Sequence, residues 1–402
     1  MRELPPTVKA AVLAARAEHD DPVSAFVFDL DALARHARQT RLMLPEGVEL
    51  FYAIKANSET PLLEVLASSV DGFELSSGGE LERAAACRVA RPWLLSGPGK
   101  LDSELRAAMA CDIAAIHVES LSEIDRLSAL ARSAGRQQAV FIRVNPALDA
   151  RFSTRLNMAG RASPFGIDEA ELEAAVARVD ASEALVLQGF HVHAMSHQKS
   201  AERHQALIAL YLDKWPRWRA LCADPARVTH LNVGGGIGVD YTGEGGFDWP
   251  AFCAWLGETL AAWPEAPVLR FEIGRYLSAF CGYYVMEVLD CKQSHGEHFL
   301  ICRGGTHQFR LPVAQGHDHP IIHVPCHAAG EGQGQVWTVV GQLCTPKDVL
   351  SRGQYLDDVA VGDVLVLPLA GAYGYNISHA DFLCHPRPML HFIGTGRAGG
   401  GV

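Results

Sequence analysis

From residue 25 to about residue 280 the chain alternates short apolar runs with longer stretches whose apolar positions recur three and four residues apart. The runs at 25–28, 50–54, 72–75, 93–96, 114–118, 139–144, 186–191, 228–233 and 269–272 predict strands. Segments such as 80–87, 122–134 and 201–221, rich in Ala, Leu, Arg and Glu, predict helices. Strand–helix units repeated at this spacing require a parallel sheet, because each helical crossover returns the next strand to the same direction. Eight or so of them predict a closed (β/α)8, TIM-type barrel over 30–278. After residue 280 the helical period disappears. Short β-rich runs at 284–289, 299–302, 336–340 and 364–368, separated by Gly, Pro, Asp and His, predict a mostly antiparallel β domain over 279–402. The early run at 25–28 suits either part, and residues 1–29 are assigned to the β domain. The glycine-rich end at 396–401 is expected to fray.

A chain of 402 residues fits two cores better than one. Its formal net charge of -11 argues against nucleic acid, whose binders need a basic face to neutralise phosphates. The opening residues lack a basic segment followed by an apolar stretch, so no signal peptide is expected. With no run of about 18 apolar residues, no membrane span is expected either. Ten cysteines lie far apart without a Cys-x-x-Cys pair, which fits reduced thiols in a cytoplasm better than a disulfide scaffold or a zinc ribbon.

In a barrel of this kind, functional side chains stand at the C-terminal ends of the strands. Read in order, these ends offer Lys55, Glu74, Ser96, Arg143, His191 and His193, the glycines 234, 235 and 236, and Glu272. A lysine directly after Phe51-Tyr52-Ala53-Ile54 sits at the edge of a core, where desolvation makes an amine nucleophilic; the bland reading is a lysine reaching for water. Gly234, Gly235 and Gly236 let backbone N–H groups approach a phosphate, helped by a following helix N-terminus, although most such turns are only tight turns. His191 and His193 lie two apart, hence on one strand face. Zinc is the competing reading, but no third ligand stands at a recognisable spacing and no metal is expected. Glu272 suits a pyridine nitrogen and Arg275 a phosphate, against a plain Glu–Arg ion pair.

Together these pieces resemble the ornithine/diaminopimelate decarboxylase family, pyridoxal-5′-phosphate (PLP) enzymes of the alanine-racemase-like barrel fold, over nearly the whole chain. Tyr52-Ala53-Ile54-Lys55-Ala56-Asn57 resembles the PLP-lysine motif. Gly72-Phe73-Glu74-Leu75-Ser76 resembles the second-strand motif, with Glu74 where Asp is usual. His191-Val192-His193-Ala194-Met195-Ser196 is similar to His-x-His-x-Gly-Ser, with Met195 for the glycine. The resemblance implies that Lys55 holds PLP as a Schiff base, that His193 stacks on its ring, and that Glu272 pairs with its pyridine nitrogen. Ser196, Gly234, Gly235, Gly236, Gly274 and Arg275 would surround the phosphate. Gly341-Gln342-Leu343-Cys344 with Asp348 resembles a segment supplied across a homodimer interface, so that Cys344 returns a proton to the substrate carbon; the bland reading is a buried apolar thiol. Gly371-Ala372-Tyr373-Gly374 resembles the last cofactor-side motif. The implied reaction is amino-acid decarboxylation.

Departures from the family pattern bear on the substrate. Ornithine-type enzymes carry acids where this chain has Thr345 and Arg303. A neutral group and a cation suit a distal carboxylate better than a distal amine. Leu343-Cys344-Thr345-Pro346-x-Asp348, the stretch from His191 to His197, and Phe382-Leu383-Cys384-His385-Pro386 look like the siderophore-biosynthesis branch. The expected substrate is therefore a carboxylate-rich diamino-acid conjugate such as citryl-diaminopropionate, met by Arg303, Arg310, Thr345 and Asp348. For the two arginines, surface ion pairs are the alternative. Diaminopimelate decarboxylation for lysine synthesis and a non-catalytic PLP-binding homologue are the competing readings.

Overall fold

The computed structural model describes residues 3–18, 20–87, 92–148, 159–263, 265–327 and 334–395. Two compact units emerge: 1–35, 240–244 and 278–402 form one, and 36–239 with 245–277 form the other. Helix α1 (Pro6–Ala17), strand β1 (Ser24–Asp29) and helix α2 (Leu30–Met43) open the chain.

The second unit is the barrel. Its parallel strands are β2 (Glu49–Ala53), β3 (Gly72–Leu75), β4 (Trp93–Leu95), β5 (Ala115–Val118), β6 (Gln138–Asn145), β8 (Leu185–His191), β9 (His230–Gly234) and β10 (Val268–Ile273); the two-residue β7 (Ile167–Asp168) pairs only with β6. Pairing of β5 with β6 and of β2 with β10 closes the ring. Helices α3 (Thr60–Leu66), α4 (Gly78–Ala86), α5 (Asp102–Ala110), α6 (Leu121–Ser133), α7 (Leu172–Asp180), α8 (Ala201–Arg219) and α9 (Trp249–Ala261) make the crossovers. Ser77 and Ser120 start α4 and α6 by accepting the N–H of Glu80 and Glu123, so small polar residues fix where each crossover begins.

Strand alternation decides the barrel's contents. Phe51, Leu94, Ala115 and Phe141, from four different strands, meet in one apolar cluster, with the Arg270 guanidinium 4.5 Å from the Phe51 ring. Two residues further along those strands the inward positions become Ala53, Ser96, His117 and Arg143. One end of the barrel is thus filled by apolar side chains and the other by polar ones.

The first unit holds an eight-stranded sheet of β1 with β11 (Gly282–Ser294), β12 (Glu297–Cys302), β13 (Ile322–Val324), β14 (Gln335–Val340), β15 (Val349–Leu356), β16 (Val364–Leu367) and β17 (Met389–Ile393). Its pairs are antiparallel except β1 with β17 and β12 with β14. Pairing of β1 with β11 and β17 settles the early strand's membership. Val8, Val12 and Ala15 of α1 pack on Ala25, Val27, Val285 and Val366 in this unit's core. The pattern at 25–28 had suited both units because all six residues of β1 are buried, which leaves no polar face to read. Strands β13, β15 and β17 were not predicted; β15 carries Gly353 at φ 66° in mid-strand, which interrupts the alternation.

Candidate active site

Each barrel strand delivers its last inward residue to the polar end. Lys55 follows β2 in a single 3-10 turn, Ile54–Ala56, and its Nζ donates to Glu74 Oε2 at 3.0 Å. The Glu74 side chain is fully buried, whereas that of Lys55 is 40 % exposed. Ser76 Oγ, at 2.9 Å, and Ser96 Oγ both donate to the other Glu74 oxygen, so the longer side chain at this position is held against β4 as well as the lysine.

Glu272 ends β10. Its Oε1 accepts from Asn232 Nδ2 at 2.7 Å, and its Oε2 accepts no hydrogen bond among the described residues, with His191 Nε2 3.4 Å away. His117, from β5, lies 3.7 Å from Oε1 and stacks on His191 with ring centroids 4.2 Å apart. Desolvation holds both imidazoles neutral, far below their usual range. His117, His191 and Glu272 therefore form a buried group with two histidines and one carboxylate, atoms of which lie within 4.8 Å of one another. The third member that spacing did not offer comes from a strand far away in the sequence.

His193 has other company. Strand β8 ends at His191, so the alternation that placed both rings together stops there. His193 Nδ1 accepts the Gly235 N–H at 3.0 Å, which leaves the proton of this desolvated ring on Nε2. The glycine turn also differs from its sequence reading. The Gly234 N–H donates to Asn232 Oδ1 at 3.0 Å and the Gly235 N–H to His193, so two of the three amides are engaged internally. These glycines matter for the side chains they lack: a Cβ at 234 would stand 2.2 Å from His193 Nδ1, and one at 235 would stand 2.1 Å from the Glu272 carbonyl oxygen. No helix follows directly; the next, α9, begins at Trp249. The left-handed residues nearby are Gly234, Gly236 and His197, so position 195 needs no glycine, and Met195 is buried there. Ser196 is half-buried. Gly274 approaches the lysine turn, where a Cβ would meet that of Ala56 at 2.8 Å, and Arg275 opens the short helix Arg275–Ser278.

The polar end also holds ion pairs that the strand-end reading found only in part. Arg143 Nη1 donates to Glu119 Oε1 at 2.8 Å, and buried Lys100 donates to Glu123 Oε1 at 2.6 Å. Lys100, Glu119 and Glu123 sit in loops and a helix start, outside the strand pattern that guided the search.

In the sheet unit, Cys344 is exposed on the connection between β14 and β15, with Thr345 half-buried beside it. Asp348 is 2 % exposed. Its Oδ1 accepts the Thr306 N–H at 2.7 Å and Oγ1 at 2.8 Å, and its Oδ2 accepts the Leu343 N–H at 2.8 Å. The expectation that Asp348 meets substrate is therefore corrected: both oxygens are occupied in clamping the turn after β12 to the Cys344 segment. Arg303 is half-buried and Arg310 exposed; among the described residues neither is ion-paired. Tyr373 stands half-buried at φ 51° in the loop after β16, a backbone conformation that costs energy in a residue with a side chain.

A lysine nucleophile, a buried carboxylate with one open oxygen at a strand end, and a glycine turn pressed against that carboxylate's strand suit PLP: Lys55 as anchor, Glu272 Oε2 for a pyridinium N–H, His193 beside the turn. The comparisons with known proteins agree on the cofactor. Residues 30–279 match the model of the pyridoxal-dependent decarboxylase pyridoxal-binding domain. This chain belongs to the PLP-dependent decarboxylase family, with PLP as its cofactor. It is 40 % identical over 381 residues to the Staphylococcus aureus 2-((L-alanin-3-ylcarbamoyl)methyl)-2-hydroxybutanedioate decarboxylase, covering 92 % of this chain and 94 % of that protein. It is 30 % identical over 383 residues to the L-glutamyl-BtrI acyl-carrier protein decarboxylase of Niallia circulans, covering 90 % and 87 %. A mutant diaminopimelate decarboxylase of Helicobacter pylori, solved with L-lysine, shares the fold at a TM-score of 0.85 and 24 % identity, covering 96 % of this chain and 95 % of that one. No helix among the described residues is long and apolar enough to cross a membrane.

Proposed function

We propose that this decarboxylase acts on a citrate-derived conjugate of a diamino acid, of the citryl-diaminopropionate kind, in siderophore biosynthesis. The observation that carries the reading is the 40 % identity, along almost the whole chain, to the staphylococcal enzyme, whose substrate name describes a hydroxybutanedioate amide-linked to position 3 of alanine. Arg303 supports it, because a guanidinium in the turn after β12 that has no ion pair among the described residues suits a distal carboxylate and repels a distal amine.

The bond broken is that between the α-carbon and its carboxylate. PLP, when bound, supplies the electron sink that accepts the bonding pair as CO2 leaves. The residues of the chain prepare and finish this step. Glu74, held by Ser76 and Ser96, fixes the Lys55 amine in place. Glu272 presents its carboxyl group near the end of β10, its geometry set by Asn232. The neutral His117 and His191 rings wall that group off from water. Cys344 Sγ then gives its proton to the α-carbon. In this reading Cys344 comes from a second copy of the chain, so the active form is a homodimer with shared sites. Ten free cysteines fit work in a reducing cytoplasm.

The test is CO2 release by the PLP-loaded protein from diaminopimelate, ornithine, lysine, 2,3-diaminopropionate and its citryl conjugate. Turnover of the conjugate above the others is expected. Preferred turnover of diaminopimelate would overturn the reading and return the enzyme to lysine synthesis, and no turnover in a protein that binds PLP would favour a non-catalytic homologue.

A further inference from the structure

Two stretches singled out in the sequence, around Cys344 and around His385, hydrogen-bond to each other through one amide. The Oε1 of Gln342, two residues before Cys344, accepts from the Gly304 N–H at 2.8 Å and from Arg303 Nη1 at 3.0 Å. Both groups can only donate, so the orientation of the amide is fixed. Its NH2 faces His385 and donates to Nδ1 at 2.7 Å. A neutral imidazole that accepts on Nδ1 carries its proton on Nε2. Gln342 thereby sets the tautomer of His385 and the pose of Arg303 together.

The surroundings keep this array in place. Gln308 Nε2 donates to the Pro386 carbonyl at 2.9 Å, tying the His385 segment to the turn after β12. Asp348 ties the same turn to Leu343. His307, fully buried with neither ring nitrogen hydrogen-bonded, packs on His385 with centroids 5.2 Å apart. Burial first, then His385, His379 and Arg303, push its pKa down to about 4, so it backs the array as a neutral ring. Among the described residues no carboxylate is hydrogen-bonded or ion-paired to Gln342 or His385, and Asp20 and Asp21, which share a cleft of about 410 Å³ with Arg303, form no ion pair with it. The acceptor atoms of Gln342 and His385 are already in use. At Gln342 and His385 an ammonium would find no acceptor still open, whereas a carboxylate would find the remaining guanidinium N–H groups of Arg303 and the His385 Nε2–H.

We propose that Arg303 and His385, oriented by Gln342, form the subsite for a distal carboxylate of the substrate. Gln342 is a positioning residue, and His385 is a direct donor. The inference rests on the carboxylate-rich substrate proposed above and names the groups that would select it.

The experiment measures kcat and KM on the citryl conjugate for the PLP-loaded wild type, His385→Leu, His385→Gln and Gln342→Leu. His385→Leu and Gln342→Leu are expected to raise KM about ten-fold, the loss typical of one hydrogen bond to a charged group, with kcat within about two-fold and the cofactor absorbance unchanged. His385→Gln, which keeps an N–H donor, is expected to recover most of the affinity. Unchanged KM in His385→Leu, or a fall confined to kcat, would overturn the subsite. If the wild type does not turn over the conjugate, the functional reading fails by itself. Calorimetry with citrate then tests the array: binding to the wild type that His385→Leu loses supports it, and equal binding or none to either overturns it.

Discussion

Gly235→Ala isolates the geometric claim on which the barrel site rests. A Cβ at 235 would stand 2.1 Å from the carbonyl oxygen of Glu272 and 3.0 Å from its carbonyl carbon, where ordinary contact begins at 3.4 Å. The Cβ is fixed by its own backbone and meets backbone, so no rotamer change relieves the clash; β9 and β10 must part by more than about 1 Å. Overpacking of this kind costs roughly 1–3 kcal/mol. At about 2–4 °C per kcal/mol for a domain of this size, the melting temperature should fall by roughly 3–10 °C. Activity should suffer more. The displaced atoms belong to Glu272 itself, and misplacing a catalytic group by about 1 Å costs on the order of a hundred-fold in rate. Gly246→Ala is the control: nothing lies within 4 Å of its Cβ, and it should shift melting by no more than about 1 °C. Melting is read by circular dichroism and kcat by CO2 release on whichever substrate the panel identifies. A Gly235→Ala protein that melts within about 1 °C of wild type and keeps kcat within about three-fold would refute the idea that this glycine exists to bring its turn against Glu272.

Other perturbations test other parts. Lys100→Met leaves Glu123 buried without its cation and should lower the free energy of unfolding in urea by about 3–5 kcal/mol; adding Glu123→Leu should recover part of the loss, and a double variant as unstable as the single would deny the pairing. His204, buried against Phe247 and Phe252, has its pKa lowered to about 4 by desolvation. Between pH 6.5 and about 4 the unfolded chain binds this proton and the folded one does not, so the stability present above pH 6.5 is lost as pH falls, by about 1.4 kcal/mol per pH unit. His204→Phe should flatten that slope in urea titrations at pH 7 and pH 5; an unchanged slope would place the acid sensitivity elsewhere. Mixing Lys55→Ala, inactive and lacking the cofactor–lysine absorbance, with Cys344→Ala should restore about a quarter of wild-type activity through hybrid dimers, and no recovery would argue against shared sites.

Much of this protein was legible in order of sequence. The nine apolar runs between 25 and 272 each became a strand within two residues at either end, because a strand buried in a barrel needs apolar side chains on both faces and its ends are marked by polar or glycine residues. Lys55, Glu74 and Glu272 stood out because a charged residue within or just after the end of such a run has one place to go. The β domain was legible as a class but not in detail: β13 has three residues and β15 breaks its alternation at Gly353.

By itself, then, the sequence determined the parallel barrel, the residues at its strand ends and, through motifs in their order, the family and its cofactor. The barrel and its strand ends depend on local spacing, which the chain states directly, whereas the family and the cofactor rest on the resemblance of its motifs to known ones. Tertiary structure alone decided which groups share a partner. Closure of the barrel brings His117 and His191 onto Glu272, and engages the Gly234 and Gly235 amides that the sequence had left for a phosphate. Folding of the sheet turns Asp348 inward and joins Gln342 to His385. The physical reason is that alternation assigns each side chain to a face, whereas the hydrogen bonds available on that face depend on which distant strand or turn packs across from it.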